Sequence, residues 1–210
     1  MKWYRKAANQ NDAAAQVELA EMYKEGKGVT QSDADAVKWW REAAESGHAD
    51  AQLSLSEQYR AGEGVPKSQD EAVKWCRKAA EQGHAEAQCS LGGMFYSGDG
   101  VKQSFEEAAR WWLKAGDQGH IEVQYNLGLM FCKGKGVKQS HEEAADWFLS
   151  AAEQGDSDSQ CSLGHLYREG KGVTQSAVEA AKWWLKAADQ GDADAMYCLG
   201  CLLYTSDAAD

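Results

Sequence analysis

Two cysteines near the end of the chain have a spacing that could support metal or redox chemistry. Cys198 and Cys201 are separated by two residues, as ligand pairs are in zinc sites and thiols are in dithiol redox motifs. A structural zinc site needs two further ligands, and no second pair occurs at a matching spacing. The six cysteines do not form regular pairs, which fits a reducing compartment better than a disulfide framework. The cysteines therefore predict no metal site and no cofactor.

Three histidines recur at equal intervals: His48, His84 and His120. They could bind a metal ion or act together on a substrate only if the fold brought their rings together. Each instead stands directly after a glycine, at the expected start of a helix, where polar residues act as caps. Rings on consecutive packed helices are expected to lie about 10 Å apart. The pattern favours a capping or surface role.

The sequence strings that mark common catalytic sites do not occur. The chain contains no S-x-x-K, K-T-G, H-E-x-x-H or G-x-S-x-G string and no Walker loop. G-x-G does recur, but it lacks the preceding strand that a nucleotide-binding fingerprint requires. The sequence therefore predicts no catalytic residue and a protein that is not an enzyme.

The elements that carry these residues repeat every 36 residues. A G-x-G-V motif, a second glycine and a tryptophan all keep this interval, and fifteen of the 21 glycines lie on the grid. Each period reads as helix, glycine loop, helix, glycine turn, with a serine three residues before an acid at the start of the second helix. The motifs are Gly26–Val29, Gly62–Val65, Gly98–Val101, Gly134–Val137 and Gly170–Val173, and the serines are Ser32, Ser68, Ser104, Ser140 and Ser176.

Two adjacent bulky columns predict how the helix pairs stack. One column begins at Trp3 and the other at Tyr4, and both recur with the 36-residue period. A tryptophan that is fully buried contributes about 4–6 kcal/mol as an upper bound. Because neighbouring helical residues point about 100° apart, one column should pack within its repeat and the other against the neighbouring repeat. Single helix pairs cannot bury both columns, so the repeats must stack into an array.

The repeated residues resemble the SEL-one-like repeat (SLR) family, whose members are related to tetratricopeptide repeats. The family pattern is nearly complete in Ala85–Val101 and in Ala108–Gly119, where Gly116 replaces an alanine. The resemblance covers about residues 1–200. It implies an all-α, right-handed superhelical solenoid of antiparallel helix pairs and an adaptor or scaffold function, frequent in bacteria. The cysteine-rich secreted members have a disulfide in each repeat, a pattern that this chain lacks.

Charge and hydropathy argue against two classes of partner. The formal net charge is −11 and the isoelectric point is near 4.9, whereas nucleic-acid binding depends on cationic groups that neutralise phosphate. No apolar run approaches the roughly 20 residues that span a bilayer. We therefore expect a protein or peptide partner, no nucleic acid and no membrane insertion, and the sequence predicts no particular oligomeric state.

Both ends depart from the repeat pattern. Residues 1–10 align with the second half of a second helix, so the array begins inside a repeat, and an export signal could lie upstream. The cytoplasm is favoured, but periplasmic or secreted locations stay open. At the other end, Ser206 and Ala208 stand where the grid requires glycine, and residues 201–210 match the translation of a transposase library adapter. We therefore expect one solenoid over residues 1–200 and a non-native tail over residues 201–210.

The remaining candidate site is the concave face, which the first helices line in tetratricopeptide-like arrays. Three sets of equivalent positions on these first helices, here called variable columns, differ from repeat to repeat. Their residues are apolar and aromatic in the middle repeats, and arginines occur in the repeats on either side. Aromatic and arginine side chains are common interface anchors. We predict that a partner peptide or loop, with acidic flanks and an apolar centre, binds with Tyr125 as its anchor. The predicted contact residues are Arg60, Tyr96, Tyr125, Leu129, Cys132, His165 and Arg168.

Three alternatives stay open. These columns could pack only between neighbouring helices, which would leave no groove for a partner. The chain could be a hydrolase, β-lactamase-like or other, with an unrecognised site, because some SLR relatives are linked to β-lactam binding. It could also be a structural module of a larger bacterial protein.

Overall fold

The structure, a computed structural model, describes residues 1–207, with side chains as far as residue 202. The described residues form twelve α-helices and no strand. They are α1 (Lys2–Ala8), α2 (Ala13–Glu25), α3 (Asp33–Glu45), α4 (Ala49–Ala61), α5 (Gln69–Glu81), α6 (Ala85–Ser97), α7 (Phe105–Asp117), α8 (Ile121–Lys133), α9 (His141–Glu153), α10 (Ser157–Glu169), α11 (Ala177–Asp189) and α12 (Ala193–Asp207). The predicted all-α repeat of paired helices is confirmed.

Two compact units divide the chain, Met1–Ser104 with α1 to α6 and Phe105–Asp210 with α7 to α12. Within each unit, every helix packs against the next one along the chain. Even-numbered helices are the first helices of the repeats, and odd-numbered helices are the second.

Serines and glycines set the helix ends as predicted. Ser68 is the N-cap of α5, and its hydroxyl accepts a hydrogen bond from the backbone N–H of Glu71 at 3.3 Å. The first glycine of a G-x-G motif ends a first helix in the left-handed conformation, as Gly134 does after α8 with φ of 64°. Such a backbone is open to glycine at little cost, so α8 stops there and the chain can turn toward α9.

The second glycine of G-x-G has a role that the sequence did not reveal. Gly136 also has a positive φ, 74°, and it packs directly on the backbone carbonyl of Phe105, the first residue of α7. A Cβ at this position would overlap that carbonyl. Gly172 meets the carbonyl of His141 in the same way, one repeat later. This glycine is therefore a close contact between consecutive repeats as well as part of a turn.

The two bulky columns are buried to different degrees. The second column is buried in every complete repeat, at Trp40, Cys76, Trp112, Phe148 and Trp184. In the first column, Trp75 and Trp111 are buried, Trp39, Trp147 and Trp183 are half-buried, and Trp3 is 74% exposed. The upper-bound contribution of a fully buried tryptophan therefore applies only to part of this column. A lysine lies over a ring of either kind, at 3.8 Å from the centre of half-buried Trp183 and at 4.2 Å from that of buried Trp111, so this contact does not account for the difference in burial.

Small residues on the first helices make room for the second column. A Cβ on Gly164 would lie within contact distance of the Trp184 ring, and a Cβ on Gly128 would lie 2.5 Å from the Phe148 ring. The indole N–H of Trp184 donates to the carbonyl of Cys161 at 3.2 Å. The second column therefore packs within its own repeat. In the same unit, Trp147 of the first column lies against Gly116 of the preceding repeat, as predicted.

A column of buried glutamines joins the helix pairs. The Gln52 side chain, 4% exposed, donates through Nε2 to the carbonyl of Ala44 at the end of α3, at 3.0 Å. Its Oε1 accepts a hydrogen bond from Gln82, which follows α5, at 2.7 Å. The second unit repeats this arrangement at Gln124 with Gln154. These amides satisfy helix-end carbonyls that would otherwise be buried without partners.

The last helix is longer than the other first helices. Complete first helices have 13 residues and end at glycine, whereas α12 has 15 and continues through Ser206. Cys201–Asp207 thus belongs to α12, and residues 208–210 of the expected tail lie outside the described residues. That residues 201–210 are non-native stays a prediction. Among the described residues, no helix has both the length and the apolar character that a membrane crossing requires.

Candidate functional site

The structure places all seven predicted contact residues on first helices. In the first unit, Arg60 lies in the last turn of α4 and is exposed, and Tyr96 lies near the end of α6 and is half-buried. In the second unit, Tyr125, Leu129 and Cys132 lie on α8, and His165 and Arg168 lie on α10. The second unit therefore holds five of the seven.

The α8 residues form one continuous strip. Tyr125, Leu129 and Cys132 are spaced by four and three residues, so they share one side of the helix. All three pack partly on a core cluster that includes Phe148 and Leu163, and the Tyr125 ring lies 5.8 Å from the Phe148 ring. Each side chain is nevertheless only half-buried. The strip therefore packs between helices, as the alternative interpretation holds, and still offers apolar surface to a partner.

The α10 residues are more exposed. His165 lies edge-on to the Trp184 ring, with centres 5.3 Å apart, and its Nε2 is 3.9 Å from Sγ of Cys198. Arg168 lies in the last turn, and its guanidinium forms no ion pair with any side chain described in residues 1–202. The side chain thus stays available for a bound molecule.

One residue of this surface was missed by the sequence analysis. Asp158 lies in the first turn of α10, is exposed, and forms no ion pair among the described side chains. Its carboxylate is close enough to Tyr125 to raise the pKa of that side chain, and Arg168 lies at the opposite end of α10. The sequence carries a signal for it, because an acid stands three residues before Tyr125 and before the equivalent residue of four other repeats. These acids are Asp50, Glu86, Glu122, Asp158 and Asp194. We call Tyr125, Leu129, Cys132, Asp158, His165 and Arg168 the α8–α10 face.

The pKa shifts on this face follow from burial and from nearby charges. Burial raises the pKa of Tyr125, and the carboxylates of Asp158 and Asp156 raise it further. Burial also raises the pKa of the Cys132 thiol, against the opposing effect of Lys171 and Lys133. The acidic end of the face therefore lies beside Tyr125 and the basic end beside Cys132.

The thiol of Cys198, which lies close to a histidine, does not have the lowered pKa of a catalytic nucleophile. All six cysteines are free. Although Cys198 lies near His165, burial raises the pKa of its thiol, and the next contribution, from Cys201, acts in the same direction. An activated cysteine has a lowered pKa, because the thiolate is the reactive form. The pair of Cys198 and His165 therefore lacks the lowered thiol pKa that a catalytic cysteine–histidine pair has.

The repeated histidines begin helices, as predicted. His84 is the N-cap of α6, and its Nδ1 accepts from the N–H of Ala87 at 3.2 Å. Its Nε2 lies 2.9 Å from Asp50, whose other oxygen is 3.5 Å from Nδ1 of His48. His48 and His120 are the N-cap residues of α4 and α8. Capping by the side chain is thus established for His84.

Comparison with known proteins gives the family. Six consecutive segments match the Sel1 repeat: residues 1–12, 13–48, 49–84, 85–120, 121–156 and 157–192. No curated protein sequence matches the chain. Among solved structures, a protective antigen of uropathogenic Escherichia coli strains that displays an SLR fold is 37% identical, with a TM-score of 0.93 over 99% of this chain.

A second solved structure is also similar throughout most of its length. It is a Sel1 repeat protein from Oxalobacter formigenes, 35% identical, with a TM-score of 0.83 over 90% of this chain and 78% of its own. The chain spans only 44% of the length of the E. coli antigen. The repeat matches and both likenesses agree with the resemblance in the residue pattern, and the chain belongs to the Sel1 repeat family.

Proposed function

We propose that this chain is a protein-interaction scaffold that binds a partner peptide or loop on the α8–α10 face. The observation that carries the proposal is the half-buried strip of Tyr125, Leu129 and Cys132 beside the exposed and unpaired Arg168. A half-buried tyrosine offers a large apolar ring with a polar tip, and its neighbours already hold the ring in place. Binding would then immobilise few side chains, so little of the contact energy would be lost to entropy.

The family supports the general form of this proposal. Sel1 repeat proteins are generally protein–protein interaction modules. The similar E. coli protein is a protective antigen, which identifies no binding partner for its repeats. The proposal for this chain therefore depends on its own residues.

Replacement of Tyr125 tests the proposal. Tyr125→Ala removes the central ring while leaving Phe148 and Leu163 of the cluster beneath it in place. We expect the variant to fold and to bind the partner about 1–3 kcal/mol more weakly, as is common for an aromatic hot spot. The measurement is calorimetric titration of a partner first identified by pull-down, against wild type and variant.

The matched control is Trp111→Ala. Trp111 is 5% exposed, so its removal creates a cavity and should lower the free energy of unfolding by about 3–5 kcal/mol. Tyr125→Ala should therefore change binding without a comparable loss of stability. Unchanged affinity in a folded Tyr125→Ala protein would place the partner on another surface, most simply on the second helices.

A further inference from the structure

The α8–α10 face has opposite charges at its two ends. Asp158 occupies the first turn of α10 and Arg168 its last turn. Both side chains are exposed, and neither forms an ion pair with another side chain in the described part of the chain. They are therefore free to bind groups of a partner.

The first unit shows that this availability is not a property of every repeat. On α4, Asp50 and Arg60 occupy the same two positions as Asp158 and Arg168 on α10. Asp50, however, lies 2.9 Å from Nε2 of His84 and 3.5 Å from Nδ1 of His48, so it already has partners inside the protein. On α10 the corresponding acid has no such partner, which makes α10 the helix suited to a bound segment.

The spacing of the two charges fits an extended chain. Ten residues of α-helix separate Asp158 from Arg168, which corresponds to about 15 Å along the axis. An extended segment advances about 3.3 Å per residue, and alternate side chains point to the same side. Side chains four residues apart thus lie about 13 Å apart and point the same way, with one more side chain between them. The reach of the charged side chains covers the small difference.

The middle of the face suits an apolar side chain. Tyr125 and Leu129 present half-buried apolar surface, and His165 presents an exposed ring at the corresponding level of α10. At one end of the face, the carboxylates of Asp156 and Asp158 raise the pKa of Tyr125. At the other end, the ammonium groups of Lys133 and Lys171 oppose the rise in the pKa of Cys132. The order along the face is therefore acidic, apolar, basic.

From this order we infer that the α8–α10 face binds an extended peptide segment with the pattern basic–x–apolar–x–acidic. The basic side chain pairs with Asp158, the apolar side chain lies on Tyr125 and Leu129, and the acidic side chain pairs with Arg168. This inference rests on the proposed function and names the chemistry of the partner. It also replaces the expected pair of acidic flanks, because the flank beside Tyr125 faces carboxylates.

Three capped peptides of one design test the inference: Lys-Ser-Trp-Ser-Glu, Glu-Ser-Trp-Ser-Glu and Lys-Ser-Trp-Ser-Lys. Each is titrated into the full chain at physiological ionic strength, which limits the long-range effect of the net charge. Binding is measured from the amide NMR signals of α8 and α10. We expect the mixed peptide to bind about fivefold more tightly than either uniformly charged peptide, because exposed ion pairs are individually weak.

Two charge reversals provide the decisive comparison. Asp158→Arg should make the peptide with two acids the best ligand, and Arg168→Asp should do the same for the peptide with two bases. The matched control is Asp146→Arg, which reverses an exposed acid on α9 and should leave the ranking of the wild type unchanged. A thermal melt confirms that each variant is folded, and neutral Asp158→Asn and Arg168→Gln replace any reversal that does not fold.

The possible failures are distinguishable. Equal binding of the three peptides, or reversals that leave the ranking unchanged, would overturn the charge pattern. If Tyr125→Ala still abolished binding of all three peptides, the proposed function would stand without the charge pattern. If no peptide shifted any α8 or α10 signal, the inference would be wrong, and the natural partner with Tyr125→Ala would decide the proposed function separately.

Discussion

A gap in the glutamine column leads to a stabilising substitution. Gln16 is 2% exposed, and its Nε2 donates to the carbonyl of Ala8 at 3.2 Å. Its Oε1 is buried and has no hydrogen-bond partner among the described residues. In three other repeats a glutamine thirty residues later donates to the equivalent oxygen, as Gln82 does to Gln52. Position 46 instead holds serine, which is too short and bonds to the carbonyl of Ala43.

We expect Ser46→Gln to complete the column. Ser46 has φ −77° and ψ −3°, and Gln82 has φ −79° and ψ −2°, so the new side chain would start from the same backbone. A buried acceptor without a partner costs about 1–3 kcal/mol. Full burial of a glutamine side chain costs about 1.5–2 kcal/mol in rotamer freedom, and because the equivalent Gln82 is exposed we take about half of this cost at position 46. The net stabilisation should be about 1 kcal/mol, or about 2–4 °C in the melting temperature of a chain of this size.

The assay is urea unfolding followed by circular dichroism, with two comparisons. Gln82→Ser creates the same gap at Gln52 and should destabilise the protein by a similar or larger amount. In a Gln16→Ala background the benefit of Ser46→Gln should vanish, since the acceptor is gone. A gain that persists in that background would show that the stabilisation has another origin, and a loss of stability in the wild-type background would refute the reasoning outright.

Three further predictions concern backbone, thiols and tail. Gly136→Ala should lower the free energy of unfolding by about 3 kcal/mol or more, because it combines a left-handed backbone with overlap on Phe105. Gly155→Ala, with φ 98° and open space around it, should lower it by only about 1–2 kcal/mol. Equal losses in urea unfolding would contradict the close contact at Gly136. Burial raises the pKa of the Cys76 and Cys161 thiols to about 12, so iodoacetamide at pH 8 should leave both unmodified in the native protein and label them only after unfolding, as read by mass spectrometry. Deletion of residues 201–210 should lower the melting temperature by no more than a few degrees, and a larger drop would show that the segment belongs to the last repeat.

The sequence predicted the fold well because local signals agree with one another in every period. The serine at Ser68 and the glycine at Gly134 each specify a helix end through the backbone within a few residues. What it missed depends on contacts between repeats. The buried bond from Gln82 to Gln52 and the close approach of Gly136 to Phe105 both join residues about thirty positions apart. A periodic sequence marks such residues as special without showing what they touch.

The candidate site was harder to predict for the same reason. Position in a variable column identified Tyr125 and Arg168, but the half-burial of Tyr125 depends on Phe148 across the helix pair. Asp158 was missed because an acid in the first turn of a helix is expected on electrostatic grounds alone. Only the partners of Asp50 in the first unit, compared with the lack of any at Asp158, show that the two acids differ.

The glutamine column also bears on how such a gene can change in length. Each bond spans a fixed number of residues and ends on the same kind of atom in the next copy, as from Gln154 to Gln124 and from Gln190 to Gln160. Recombination that removes or duplicates 36 residues within a unit therefore restores the same pairing on either side of the junction, wherever in the period it occurs. Loss of a number of residues that is not a multiple of 36 shifts the donor away from its acceptor and leaves buried amides unpaired. Unequal crossing-over between copies is thus tolerated when it adds or removes whole periods. The hydrogen bonds therefore constrain the length of an insertion or deletion in the gene rather than any single codon.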